Sequence, residues 1–267
     1  MVRSKANMPL DLVESAAYGH KFFNDFIGNA TQRAAFSGMS EIANDGSASI
    51  IQTDNNGNGD LRLEITTLND EVYIHSQGYF KLARTVTGQA AKNHAFGAAC
   101  SFKIGADEPE NLNMFFGFIP STAANILLDT AGGPVTAVNQ AAIWKLAADT
   151  HWHCGASLAA GTNPNHIAQE KAGDENEETF GYQSIMITVT PMSASEFMVN
   201  YYLDPYGLAN FQPLTFPDGK PIVNTLFGGD NTELFFYIGL KQSGAVLAQL
   251  DVDWVAHWQD RNRPKAR

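Results

Sequence analysis

The chain has 267 residues, of which 44% are hydrophobic, 11% aromatic and only 17% charged, a balance that excludes disorder and permits a large packed core. Seventeen Lys and Arg against 28 Asp and Glu give a formal charge of −11, so the surface repels phosphate backbones and argues against nucleic acid as a partner. No composition break divides the chain, and its length suits a single all-β unit.

The N-terminal Met1–Asn7 stretch is basic, but Pro9, Asp11 and Glu14 follow where a secretory signal would carry an apolar core; the expectation is a chain made in a cytoplasm. An apolar stripe over Leu10–Phe26 predicts a short helix, with Tyr18, Phe22, Phe23 and Phe26 bunched together. Rings left in water cost on the order of 2–3 kcal/mol each. Residues 1–30 are therefore expected either to pack on the remaining chain or to form an arm whose four rings dock on a neighbouring subunit.

A strand is predicted over Ser47–Thr53, followed by Asp54-Asn55-Asn56-Gly57-Asn58-Gly59. Asp54, Asn56, Asn58 and Asp60 fall at alternate positions, as in the first half of a calcium loop. The second half departs from that pattern, with Ile65 where a bidentate Glu belongs. A tight Asn/Gly hairpin turn explains the same residues, and no metal or other cofactor is expected.

Period-two alternation then begins. Leu61, Leu63 and Ile65 share one phase, and Arg62, Glu64 and Thr66 the other, as on a half-buried strand. Val72–Ile74 is a further candidate. Phe96, Ala98, Cys100, Phe102 and Ile104 alternate with Ala95, Gly97, Ala99, Ser101 and Lys103, and Met114–Ile119 is an apolar run far short of the roughly 18 residues that span a bilayer. No membrane partner is expected. Ser121–Leu128 predicts a short helix with Ser121 as its N-cap. Strands follow over Ala142–Leu146, Trp152–Ala156, Ile185–Val189, Phe197–Leu203, Leu234–Leu240 and Leu247–Trp258, separated by turn clusters such as Gly132-Gly133-Pro134 and Pro217-Asp218-Gly219. Residues 261–267 form a basic tail with Arg261, Arg263, Lys265 and Arg267. Many strands joined by turns predict two packed antiparallel sheets over 31–260, with the short N-terminal segment helical.

The chemistry-bearing patterns are sparse. G-x-S-x-G, P-loop, H-E-x-x-H and G-x-G-x-x-G motifs are absent, so no enzyme is expected. Asp251-Val252-Asp253 would set two carboxylates on one strand face, as a glycosidase requires, yet no third acid follows. The simpler reading is a solvent-facing phase opposite Leu250, Val252 and Trp254. His151-x-His153 places two imidazoles on one side of a strand, while Cys154 falls on the other; two ligands are too few for structural zinc. The two cysteines, Cys100 and Cys154, form no framework.

Several segments come in a familiar order. They include Phe102-Lys103-Ile104, Asn111–Phe118, Ala123–Asp129, Ala142–Lys145, His151–Cys154, Tyr182–Ile187, Phe197–Asp204, Tyr237–Lys241 and Leu250–Val255. From about Phe96 to Gln259 this run resembles a loose group of tailed-bacteriophage virion proteins with a concanavalin-like jelly roll. The resemblance implies a jelly-roll sandwich acting as a capsid decoration or cement protein on the virion surface. Its implied partners are the major capsid protein and further copies of itself, with a trimer as first guess, and Tyr18, Phe22, Phe23 and Phe26 would supply capsid or subunit contacts. The alternative is a carbohydrate-binding or glycoside-hydrolysing jelly-roll module of a phage fibre, or a free lectin. For it, Tyr201, Tyr202, Tyr206 and Trp258 offer rings that stack on sugars.

Overall fold

The computed structural model describes residues 20–24, 39–44, 49–53, 60–81, 83–84, 92–93, 95–104, 112–120, 125–129, 133–135, 138–147, 149–157, 165–172, 181–193, 195–205, 210–227, 232–243 and 247–259. These residues contain strands and no helix. The strands are β1 (His20–Asn24), β2 (Met39–Asn44), β3 (Ser49–Thr53), β4 (Asp60–Ile65), β5 (Glu71–Ser76), β6 (Phe80–Lys81), β7 (Ala83–Arg84), β8 (Lys92–Asn93), β9 (Phe96–Ile104) and β10 (Leu112–Ile119). They continue with β11 (Gln140–Lys145), β12 (His151–Ser157), β13 (His166–Lys171), β14 (Tyr182–Pro191), β15 (Glu196–Asp204), β16 (Gln212–Pro213), β17 (Val223–Phe227), β18 (Glu233–Gln242) and β19 (Ala248–Gln259).

Two antiparallel sheets hold nearly all of them. The nine-stranded sheet runs β16-β15-β14-β9-β19-β4-β3, with β17 also on β15 and β1 also on β19. The eight-stranded sheet runs β13-β12-β11-β10-β18-β5-β2, with β6 on β18. Sequence neighbours are often not sheet neighbours, since β9 lies between β14 and β19. Such long-range pairing makes the fold a jelly-roll sandwich, not a meander.

The alternation read from the sequence sorts residues to the two sides of each sheet. Phe96, Ala98, Cys100 and Phe102 of β9 meet Met114, Phe116 and Phe118 of β10 in one core, joined by Trp152, Tyr201 and Phe236. Each fully buried ring of this kind contributes on the order of 2–3 kcal/mol. Several ring pairs are edge-to-face, as between Phe96 and Phe118 at 4.9 Å and 81°, while Phe80 stacks on Phe96 at 5.5 Å and 29°, both arrangements that aromatic quadrupoles accept.

Three sequence expectations are corrected by the backbone. Within Leu10–Phe26, residues His20–Asn24 form a strand, not a helix, in antiparallel register with β19, so that Phe22 pairs with His257 and Phe23 with Ala256. Bulky Phe-Phe in a short stretch suits a strand, and an open sheet edge offers backbone partners that a lone helix lacks. Within Ser121–Leu128, residues 125–128 are not helical: Asn125 has φ +57° and Leu127 bridges Pro134. Left-handed backbone at Asn and the nearby Gly-Gly-Pro turn favour a returning loop over a helix. In β19, the register shifts between Val252 and Trp254. This bulge at Asp253 moves Trp254 off the phase of Leu250 and Val252, and Val255 takes the inward position in its place.

Candidate functional site

The outward face of the eight-stranded sheet is not the polar surface that an exposed face would present. Cross-strand register sets His75 opposite Tyr237 and Tyr237 opposite Gly117. The next row joins Tyr73, Gly239, Phe115, Trp144, His153 and Ile167. Glycine is required at 239, because a Cβ there would come 2.2 Å from the Val72 carbonyl and 2.4 Å from the Tyr73 ring. The missing side chain leaves room for the Tyr73 ring against the β18 backbone.

The segments 125–129 and 133–135 cover the middle of this face. Leu128 N–H donates to the Gly133 carbonyl at 2.8 Å, and Val135 N–H to Ile126 at 2.8 Å. Ile126 and Leu127 are fully buried against Tyr73, Phe115, Trp144 and Tyr237, forming a second apolar cluster outside the main core. Polar ties fasten the cover. Lys241, itself 1% exposed, points Nζ at Asp129 Oδ1 (2.6 Å) and at Glu71 Oε2 (3.9 Å) and donates to the Leu127 carbonyl at 3.0 Å. Glu71 accepts from the Tyr73 hydroxyl at 3.1 Å and from the Asn125 backbone N–H. The Tyr73 hydroxyl in turn accepts from Leu127 N–H at 3.3 Å. Burial and the adjacent Glu71 carboxylate push the Tyr73 phenol well up, so it remains a neutral donor.

Beyond the cover, a chain of rings runs outward. Tyr73 meets Tyr237 edge-on at 6.5 Å, Tyr237 stacks on His75 at 4.9 Å and 20°, His75 meets Phe235 at 6.4 Å, and Phe235 meets Tyr79 at 6.2 Å. Exposure rises along the chain: Tyr73 and Tyr237 are buried, His75 and Phe235 half-buried, and Tyr79 is 49% exposed. Gln77, on the same rim, is exposed and donates to the Met39 carbonyl at 3.2 Å. Burial lowers the His75 pKa, outweighing the opposing effect of its bond to Ser76. This platform is the candidate site.

The residues expected from sequence lie elsewhere. Tyr201 is fully buried in the main core and cannot meet a sugar. Tyr202 and Trp258 are half-buried residues of β15 and β19, strands with β14 and β9 between them. Trp258 lies over Gly97, so the two do not form one site. Tyr206, Tyr18, Phe26, Asp54, Asn56 and Asn58 fall outside the described residues, as do the side chains of Phe22 and Phe23. Asp60 is buried and accepts from the Tyr182 hydroxyl at 2.6 Å. Among the described residues no group of three or more His, Cys, Asp or Glu side chains is arranged to hold a metal.

His151 and His153 converge on one carboxylate. Asp149 sits 3.1 Å from His151 Nδ1 and 3.0 Å from His153 Nε2, and Asn165 Oδ1 lies 2.8 Å from His153 Nδ1. Cys154 points into the core, where burial pushes its thiol up. Asp251 has both oxygens on Arg62, at 2.7 and 3.0 Å, so its carboxylate is held in a bidentate ion pair. The ring platform was missed although a signal existed: Tyr73-x-His75 and Phe235-x-Tyr237 put aromatics on the phase opposite Val72 and Ile74, where polar residues belong.

No known family model and no curated protein sequence matches the chain. Solved structures do share its fold. Lectin I from Ulex europaeus, in complex with the methyl glycoside of alpha-L-fucose, superposes with TM-score 0.55 at 14% identity, over 91% of this chain and 99% of that one. Lectin II from Ulex europaeus gives 0.53 at 12%, over 92% and 100%. A legume lectin-like domain from Entamoeba histolytica gives 0.52 at 7%, over 84% and 91%. The fold is thus an all-β, concanavalin-like jelly roll of the legume-lectin kind.

Proposed function

We propose that the chain is a lectin-like carbohydrate-binding module without catalytic chemistry, whose saccharide lies on the Tyr79–Phe235–His75 end of the ring platform. The observation that carries this reading is the ring chain, which leaves three aromatic side chains accessible beside a fixed, covered half. Flat rings match the apolar face of a pyranose, and a rigid platform binds without paying to order itself. The fold it shares with lectins supports the reading without assigning the site. A glycan array probed with the wild-type chain and with Tyr79→Ala tests it: binding to a defined glycan class, weakened roughly tenfold by the substitution, is expected, and no glycan binding rejects it. The virion role is also a proposal, drawn from the sequence resemblance alone; binding to purified phage capsids in place of glycans would favour it.

A further inference from the structure

We propose that His75 is the specificity-determining residue of this platform, reading a hydroxyl of an uncharged ligand through the lone pair of its Nε2. The inference rests on the carbohydrate reading above and adds which atom discriminates and how acid controls it.

The tautomer follows from geometry. His75 Nδ1 lies 3.0 Å from the Ser76 carbonyl oxygen, which can only accept, so Nδ1 carries the proton. In the neutral ring Nε2 is then an acceptor. It is not among the buried unpartnered atoms, and among the described residues the hydrogen bond of the His75 ring is the one at Nδ1. The ring is held flat on Tyr237 at 4.9 Å and 20°, so the acceptor is fixed in direction at the rim of the platform. A fixed neutral acceptor beside ring faces selects a ligand that offers both a hydroxyl proton and an apolar face.

The charges around the ring leave this acceptor unopposed. On its own strand the outward Glu71 is bound to Tyr73 and Asn125. On β18, Lys241 is held by Asp129 and Glu71, and Glu233 is exposed at the register of Lys81. On β2, Ser40 shares the register of His75, and Glu41 shares that of Ile74, on the other phase. The net charge of −11 disfavours anionic saccharides. Protonation of His75 turns Nε2 into a donor and removes the acceptor, so binding persists at neutral pH and falls as acid charges the ring.

An array of neutral oligosaccharides identifies a ligand, and its monodeoxy analogues are then titrated against wild type, His75→Phe and His75→Gln at pH 7.5 and 5.0. One deoxy analogue is expected to cost wild type about tenfold and to cost His75→Phe nothing. Wild-type affinity should fall at pH 5.0, while His75→Gln, which keeps an acceptor and does not titrate, should bind equally at both. Binding that is weakened in Tyr79→Ala yet unchanged in His75→Phe, with a flat pH profile, overturns the His75 role and leaves the carbohydrate reading intact. Absence of binding to every neutral glycan overturns both.

Discussion

The two outward sheet faces are built on different physics. On the nine-stranded sheet, β9 turns Gly97, Ala99 and Ser101 outward, with Gly97 against the Trp258 ring, and a half-buried ion pair, Arg62–Asp251, lies on the neighbouring strands. On the eight-stranded sheet, a second apolar cluster is sealed beneath residues 125–129 and 133–135, and the Lys241 ammonium there is almost wholly buried. A charge on the first face can exchange its partner for water. Lys241 and Glu71 on the second face cannot, although Asp129 at the outer end of their network is 62% exposed, so the buried pair fixes where the cover sits and hence where the ring platform ends.

The largest effect is expected from breaking that buried network. Lys241→Ala leaves Glu71 and the Leu127 carbonyl without their cation under the cover and should cost about 3–5 kcal/mol in urea unfolding. A loss below 1 kcal/mol would place the network in effective contact with water. Next in size is Gly239→Ala, whose Cβ would meet a backbone carbonyl at 2.2 Å. Backbone cannot step aside, and about 3 kcal/mol is expected. On the other face, Gly97→Ala first meets the movable Trp258 ring at 2.4 Å, although the Ile187 carbonyl follows at 2.8 Å, so its loss of stability should be smaller. The reverse order would show that β9 is the tighter of the two strands.

Most of the sandwich was legible because one face of each strand is buried and period-two alternation reports this directly. Leu61–Ile65 and Phe197–Leu203 show it cleanly, with inward residues at 4% exposure or less. The Pro217-Asp218-Gly219 turn was legible too: Gly219 takes φ +81° and donates to the Phe216 carbonyl at 2.8 Å. The platform was not, because outward aromatics on β5 and β18 look like a doubly buried strand until the cover is known to stop short of them. β13 was missed because its pattern, His166-Ile167-Ala168, inverts the usual order, with Ile167 47% exposed and Ala168 buried. Trp254 was misplaced by the bulge, which no alternation rule foresees. The cover itself depends on pairs far apart in sequence, such as Asn125 with Glu71, and local pattern carries no trace of them.

A smaller effect separates the faces again. Arg62 and Asp251 are 32% and 13% exposed, and the bidentate bond to Asp251 raises the Arg62 pKa. Water replaces much of what Arg62→Ala removes, so a loss of about 1 kcal/mol or less is expected. A loss as large as that of Lys241→Ala would erase the contrast between the faces.

The smallest effect is a pH dependence at the far edge of the eight-stranded sheet. Burial alone would raise the Asp149 pKa, but the backbone N–H and ring of His151, with the ring of His153, outweigh it and hold the carboxyl below its ordinary value of 3.8. A carboxyl with a lowered folded-state pKa contributes stability that is fully present above its unfolded value and is lost as pH falls through the folded one. Wild type should therefore exceed Asp149→Asn in urea midpoint at pH 7 and pH 5, with the gap closing below about pH 3.8 as the carboxylate takes its proton. A gap for Asp149 that stays constant from pH 7 down to pH 2 would mean that its oxygens act by shape and hydrogen bonding alone, and that its charge contributes nothing to the fold.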